Sequence, residues 1–171
     1  SLGQYVYSEG RDAWVNLYAT GAGVLNLDGG QMTLVQETSY SWNGSVKITV
    51  SVEDKIETGI NLRLPGWARN ITIEINGDQV EISKVKRKGY AHLDRIWESG
   101  DVITIEMPMP VERVYANPQV RMANGKVALQ RGPIVYCLEE TDNAVSPLSR
   151  IAIPPESDIT SEHQGSMLGG V

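Results

Sequence analysis

Few side chains in this sequence of 171 residues have the chemistry of a nucleophile, a metal ligand or a neutral-pH acid–base group. There is one cysteine, Cys137, and two histidines, His92 and His163. A nucleophilic cysteine needs exposure and a base or positive field to lower its pKa. Cys137 stands in the apolar run Ile134-Val-Tyr-Cys-Leu138 with no histidine nearby, so it reads as a buried structural cysteine. A single cysteine also excludes an internal disulfide and a cysteine-built zinc centre. The histidines form neither an H-x-x-x-H nor an H-E-x-x-H pair, which leaves a metal site or a Ser-His-Asp triad without support. Glu139, Glu140 and Asp142 cluster beside Asn143. A glycosidase needs two carboxylates facing each other across a cleft, at about 5 Å or about 6.5–9.5 Å. Neighbours at a strand end point in different directions, so this cluster reads as the start of a loop. It does not match a calcium loop either. No catalytic residue, cofactor ligand or metal ligand is assigned.

The aromatic residues offer a different chemistry. Tyr40-Ser-Trp42-Asn-Gly44, Gly66-Trp67 and Trp97 sit at strand ends or turns. A ring on a loop can stack on the apolar C–H face of a sugar, which makes Tyr40, Trp42 and Trp67 candidate carbohydrate contacts. The competing reading is that these rings plug the ends of a core or pack against another domain.

Short strands must position these residues. Val46, Ile48, Val50 and Val52 alternate with Lys47, Thr49 and Ser51, the pattern of a half-buried strand. Ile60, Leu62 and Leu64 alternate with Asn61 and Arg63 until Pro65-Gly66. Ile71, Ile73 and Ile75 run into Asn76-Gly77, a type I′ hairpin signal, with Val80 and Ile82 expected on the return strand. Strands are also expected over 14–18, 24–27, 32–40, 90–93, 102–107, 111–115, 126–130 and 134–138. About ten short strands with frequent turns predict an all-β fold, an antiparallel, jelly-roll-like β-sandwich with the start of a second. After Asp142, prolines and polar residues break the pattern, and Met167-Leu-Gly-Gly-Val171 hints at one more strand.

The bulk properties narrow the partners. Hydrophobic residues make up 41% and charged residues 21%, as in a globular protein that builds its own core. The net charge of −6 argues against nucleic acid or an anionic membrane, which require a basic face. The basic run Lys84-Val-Lys86-Arg87-Lys88 reads as a solvated hairpin loop. No apolar run approaches the ~20 residues of a membrane span. The N-terminus has neither an initiator Met nor a basic-then-apolar leader, so the expectation is a chain that starts inside a longer gene product, with its compartment open.

Several phrases, taken in order, resemble one family. They are Trp14-Val-Asn-Leu-Tyr18, Gln36-Glu-Thr38 with Tyr40-Ser-Trp42-Asn-Gly44, Leu62-Arg-Leu-Pro-Gly-Trp67 and Ile75-Asn-Gly77. Arg95-Ile-Trp97 before Gly100-Asp101, Met107-Pro-Met109 and Arg131-Gly-Pro-Ile-Val-Tyr-Cys-Leu-Glu139 follow. Together they resemble the β-L-arabinofuranosidase family of glycoside hydrolases, family 127, from Ser1 to about Asn143. The resemblance implies a longer parent in which an N-terminal (α/α)6 barrel performs retaining hydrolysis with a zinc-held cysteine in a Cys-Cys-Pro-Pro motif. No residue here matches that motif, and Cys137 matches a different cysteine of the family. What the resemblance implies for this chain is an accessory, non-catalytic region with the barrel as its partner, without a cofactor of its own. Its expected organisation is a sandwich over 1–110, then the opening strands and Pro-rich tail of a second, incomplete β domain over 111–171. An incomplete second domain would expose apolar faces and strand edges, through which copies could associate. The alternative function is a carbohydrate-binding module using Tyr40, Trp42 or Trp67. A structural or adhesive sandwich unrelated to sugars requires the phrase matches to be coincidence.

Overall fold

A computed structural model describes residues 2–164. The strand hinted at by Met167–Val171 lies outside the described residues. The chain divides into two compact units, Ser1–Pro108 and Met109–Val171.

The first unit holds eleven of the described strands. These are β1 (Tyr7–Ser8), β2 (Ala13–Val15), β3 (Gly21–Leu27), β4 (Gly30–Thr38), β5 (Ser45–Val52), β6 (Ile56–Arg63), β7 (Thr72–Ile75), β8 (Asp78–Gln79), β9 (Lys86–Arg87), β10 (Tyr90–Trp97) and β11 (Val102–Glu106). One sheet runs β1-β2-β6-β10-β9 and the other β3-β4-β5-β11-β7-β8. All neighbours pair antiparallel except β2 and β6, which are parallel, with Trp14 opposite Asn61. Alternation sets the inward faces. Val15, Ile60, Leu62, Ala91 and Leu93 of one sheet join Leu25, Leu34, Ile48, Val50, Ile73, Ile103 and Ile105 of the other in one buried cluster. The all-β sandwich expected from period-two patterning is the architecture of this unit.

Two turns show why the register holds. Asn76 and Gly77 both have positive φ, 54° and 88°, as a type I′ turn demands, and Ile75 pairs with Asp78 across it. Gly44 is buried where a Cβ would lie 1.9 Å from the Met107 carbonyl oxygen. The missing side chain lets the Met107 N–H donate to the Gly44 carbonyl at 3.0 Å, which fastens the start of β5 to the end of β11.

The second unit has a three-stranded antiparallel sheet, β12 (Val111–Tyr115), β13 (Val127–Arg131) and β14 (Ile134–Tyr136), in sequence order. Arg113 ties this sheet to the proline-rich segment. Its guanidinium donates to the carbonyls of Pro154 and Ser157 and to Ser157 Oγ.

Several local expectations change. The return strand after Asn76-Gly77 stops at Gln79, and Ile82 opens a one-turn helix, α1 (Ile82–Val85). The Lys84 N–H donates to the Glu81 carbonyl and the Lys84–Glu81 ion pair spans 2.6 Å, so the local sequence closes a helical turn instead. The strand expected over 14–18 ends at Val15 because the N–H groups of Asn16 and Leu17 both turn to the Val6 carbonyl. Strand β10 runs four residues beyond Leu93, paired with β6 throughout.

Candidate functional site

The candidate sugar contacts are set by a hydrogen-bonded loop after β4. The N–H groups of Trp42 and Asn43 donate to the Ser39 carbonyl, at 2.8 and 3.2 Å, and Asn43 Oδ1 accepts from the Ser45 N–H at 3.1 Å. This loop leaves Trp42 41% exposed. Tyr40 and Trp67 differ, since both are only partly open and pack against the core. Their rings stack at 6.3 Å between centroids with 28° between planes, and Tyr40 also meets Tyr18 edge-on at 5.9 Å. Tyr18 is buried, and its hydroxyl donates to the Arg63 carbonyl at 2.6 Å. Burial pushes its pKa well above the ordinary value for tyrosine. Tyr40 and Trp67 thus form the outer end of an aromatic stack over the core, and Trp42 is the more exposed ring of the three. Trp97 has the purely structural role. It is fully buried, its indole N–H donates to the Thr58 carbonyl at 3.0 Å, and the Arg95 guanidinium lies 5.0 Å over its ring.

A second group of residues was not singled out in the sequence. Strand β6 is central in its sheet, and its residues facing away from the core are Glu57, Gly59, Asn61 and Arg63. Alternation predicts a wet face here, yet Asn61 is fully buried. Its cross-strand neighbours are Trp14 on β2 and His92 on β10. The Trp14 ring meets His92 edge-on at 5.5 Å and Tyr90 edge-on at 5.1 Å, and the Tyr90 hydroxyl donates to Asn16 Oδ1 at 3.0 Å. The Asn61 amide donates to the Ala13 carbonyl at 3.3 Å, but its Oδ1 is buried with no hydrogen-bond partner among the described residues. An unpaired buried acceptor costs about 1–3 kcal/mol. One register step away, Gly59 has Asp12 and Asp94 on either side, and a Cβ there would meet Asp94 Oδ1 at 2.7 Å and Asp12 Oδ1 at 3.1 Å. Asp12 accepts from the Gly59 N–H at 3.3 Å. The one sequence signal for this face was a polar Asn between Ile60 and Leu62; pairing of three separate strands supplies the rest.

The remaining candidates stay apart. Cys137 is exposed just beyond β14, so the expected buried strand cysteine is corrected to a free surface thiol. The strand ends at Tyr136 and releases the thiol from any inward face. His92 lies on the sheet face just described, and His163 is exposed in the C-terminal segment. Glu140 and Asp142 fall in a single 3₁₀ turn, with the Asn143 amide donating to the Glu139 carbonyl at 2.6 Å, as expected of a loop start. Among the described residues no three His, Cys, Asp or Glu side chains are grouped to hold a metal ion, so the donors present do not fit a zinc site. No described helix is long and apolar enough to cross a membrane. A cleft of about 590 Å³ lies between the N-terminal segment and β3, lined by Tyr7, Glu9, Thr20, Gly23 and Leu25 among others. Its one carboxylate, Glu9, accepts from the Asn26 N–H.

Residues 12–109 match the model of the "Beta-L-arabinofuranosidase, GH127 middle domain", and residues 111–164 match that of the "Glycoside hydrolase family 127 C-terminal domain". The chain belongs to glycoside hydrolase family 127. Among curated proteins it is 37% identical over 120 residues to a non-reducing end β-L-arabinofuranosidase of Bifidobacterium longum subsp. longum, a match covering 66% of this chain and 17% of that protein. Among solved structures, a GH127 β-L-arabinofuranosidase from Geobacillus stearothermophilus T6 superposes with a TM-score of 0.96 at 44% identity. That match covers 100% of this chain and 27% of the Geobacillus chain. A second GH127 β-arabinofuranosidase superposes at 0.90 with 31% identity, over 100% of this chain and 29% of that one. The chain therefore spans less than a third of each of these relatives.

Proposed function

We propose that this chain is a non-catalytic accessory region of a longer GH127 glycoside hydrolase whose parent activity resembles that of a β-L-arabinofuranosidase. The observation that carries this reading is which parts of the family the chain matches: its middle and C-terminal domains. The role is mechanical. A sandwich with a complete core gives a rigid surface against which a catalytic domain is held, and the catalytic cysteine and its zinc ligands belong to that other part of the parent. The parent's (α/α)6 barrel is the partner this reading requires. The test is release of aglycone from an aryl β-L-arabinofuranoside by the purified chain, with and without zinc, beside the full-length parent. Turnover by the parent alone is expected; zinc-dependent turnover by the 171-residue chain overturns the reading.

The exposed ring of Trp42, two residues after Tyr40 on the same loop, favours one second reading, a carbohydrate-binding surface. It requires saturable heat on titration with plant-derived arabinosides, abolished in Trp42→Ala. Titrations without heat remove it. Association of copies through the apolar side chains of the C-terminal unit is the remaining proposal, and a concentration-independent monomer in light scattering removes that one.

A further inference from the structure

We infer that Asn124 is a site of spontaneous deamidation, the one of the chain's three Asn-Gly pairs that the fold leaves free to cyclise. The pairs are Asn43-Gly44, Asn76-Gly77 and Asn124-Gly125. A glycine after asparagine has no Cβ to shield its nitrogen, so the sequence marks all three as open to the same reaction. In that reaction the glycine backbone nitrogen gives its proton to solvent and attacks the asparagine Cγ. A C–N bond forms, the Cγ–Nδ2 bond breaks, and ammonia leaves a five-membered succinimide. Water then opens the ring. Cleavage of the new bond gives aspartate; cleavage of the original peptide bond gives isoaspartate, in which the main chain runs through the side chain. One water is consumed and one ammonia released, and nothing is oxidised or reduced.

The tertiary structure separates the three pairs. Asn76 Nδ2 donates to Asp101 Oδ1 at 2.7 Å, and its Oδ1 accepts from the Val102 N–H at 2.8 Å. Its own N–H donates to the Val102 carbonyl at 2.9 Å, so carboxamide and backbone are both fixed. Asn43 Oδ1 accepts from the Ser45 N–H, and the nitrogen that would attack belongs to Gly44, buried against the Met107 carbonyl. Asn124 has neither restraint. Both Asn124 and Gly125 are exposed, and the Asn124 carboxamide has no hydrogen bond among the described residues. The pair fills the central positions of a type II turn, with Asn124 at φ −61° and ψ 134° and Gly125 at φ 74°. The Lys126 N–H closes that turn on the Ala123 carbonyl at 3.1 Å. Attack requires the Asn124–Gly125 peptide to rotate, and Gly125, with open space around it, accepts the new φ without a clash. The turn leads into β13, the central strand of its sheet, so isoaspartate adds a backbone atom and a negative charge just before that strand.

Ageing the purified 171-residue chain in mildly alkaline buffer tests the inference. The aged protein is digested under acidic conditions and mapped by mass spectrometry, with fragment ions assigning each converted asparagine. Conversion at Asn124 is expected to be at least about tenfold faster than at Asn76 or Asn43, whose carboxamides must first give up their hydrogen bonds. The rate should rise with pH, because the attacking nitrogen must lose its proton. Part of the product should accept a methyl group from an isoaspartyl methyltransferase, and Asn124→Gln should remove that labelling. In urea the three sites should convert within about threefold of one another, the scale of residual structure in an unfolded chain. Equal native rates at the three sites, a faster rate at Asn43 or Asn76, or a rate independent of pH overturns the inference. So does the same lead of Asn124 in urea, since sequence and not fold would then set the order.

Discussion

The two units are built from similar short strands, yet they end in different physical states. In residues 1–108, two sheets face each other and bury a continuous set of side chains, with Met32, Leu34, Ile48, Ile60, Leu62 and Trp97 shut off from solvent. In the second unit none of the described hydrophobic side chains is fully buried, and Tyr115, Val135, Tyr136 and Leu138 are exposed. Among its described residues this unit has one three-stranded sheet and no second sheet, so the same alternation that makes a core in one unit leaves these side chains exposed in the other. Patterning supplies the faces; a core needs a second layer.

That contrast can be broken or sharpened by substitution. All four tryptophans, Trp14, Trp42, Trp67 and Trp97, lie in the first unit, so their fluorescence during urea unfolding reports that unit alone. Ile60→Ala removes a fully buried side chain and is expected to cost about 2–5 kcal/mol by this readout. Gly44→Ala drives a Cβ into the Met107 carbonyl and should cost roughly 2–4 kcal/mol. A loss below about 1 kcal/mol would mean that the β5–β11 junction is not part of the cooperative unit.

Asp101→Asn tests a polar element of the same unit. Asp101 is buried, and that burial raises its pKa. Hydrogen bonds outweigh the burial: Asn76 donates to Oδ1 at 2.7 Å and the Glu98 N–H to Oδ2 at 3.1 Å, with Arg95 and Lys55 adding their charge. The net result is a carboxyl held below its usual range. A carboxylate depressed on folding stabilises above its unfolded pKa of about 3.9, and that contribution is lost as pH falls through the lower folded value. Asp101→Asn should therefore cost about 1–2 kcal/mol at neutral pH and flatten the loss of stability below about pH 4, measured as urea midpoints across pH 2–6. Leu129→Ala in the second unit, which tryptophan fluorescence does not see, is expected to cost less than about 1 kcal/mol by amide hydrogen exchange in β13, because Leu129 is only partly covered. The smallest effect belongs to Trp42→Ala, within about 0.5 kcal/mol, since its ring is among the more open in the first unit. A larger loss from Leu129→Ala than from Ile60→Ala would invert the comparison.

Much of the fold was legible because its rules are local. Strand β5 follows Val46, Ile48 and Val50 inward, and β12 covers the expected residues 111–115. Asn76-Gly77 makes the turn its backbone preferences require. The misses are also local choices, settled by neighbours. Ile82 left its strand for a helical turn closed by Glu81 and Lys84, and Cys137 fell outside a strand that ended two residues early. The candidate aromatic residues were legible as a set but not in their roles. Only packing separates a stacked, half-covered Tyr40 and Trp67 from an open Trp42 and a sealed Trp97.

The sequence by itself determined the class of fold, the family resemblance and the absence of a histidine or cysteine motif, since each depends on residue types at short spacing. The tertiary structure alone decided that Trp14, Asn61 and His92 share one row. They come from three strands that neither alternation nor composition can order. It also decided that Asn61 is buried on the face its pattern marks as wet. Period-two alternation tells which side of a strand a residue takes; what covers that side depends on strand pairing and on side chains distant in the chain.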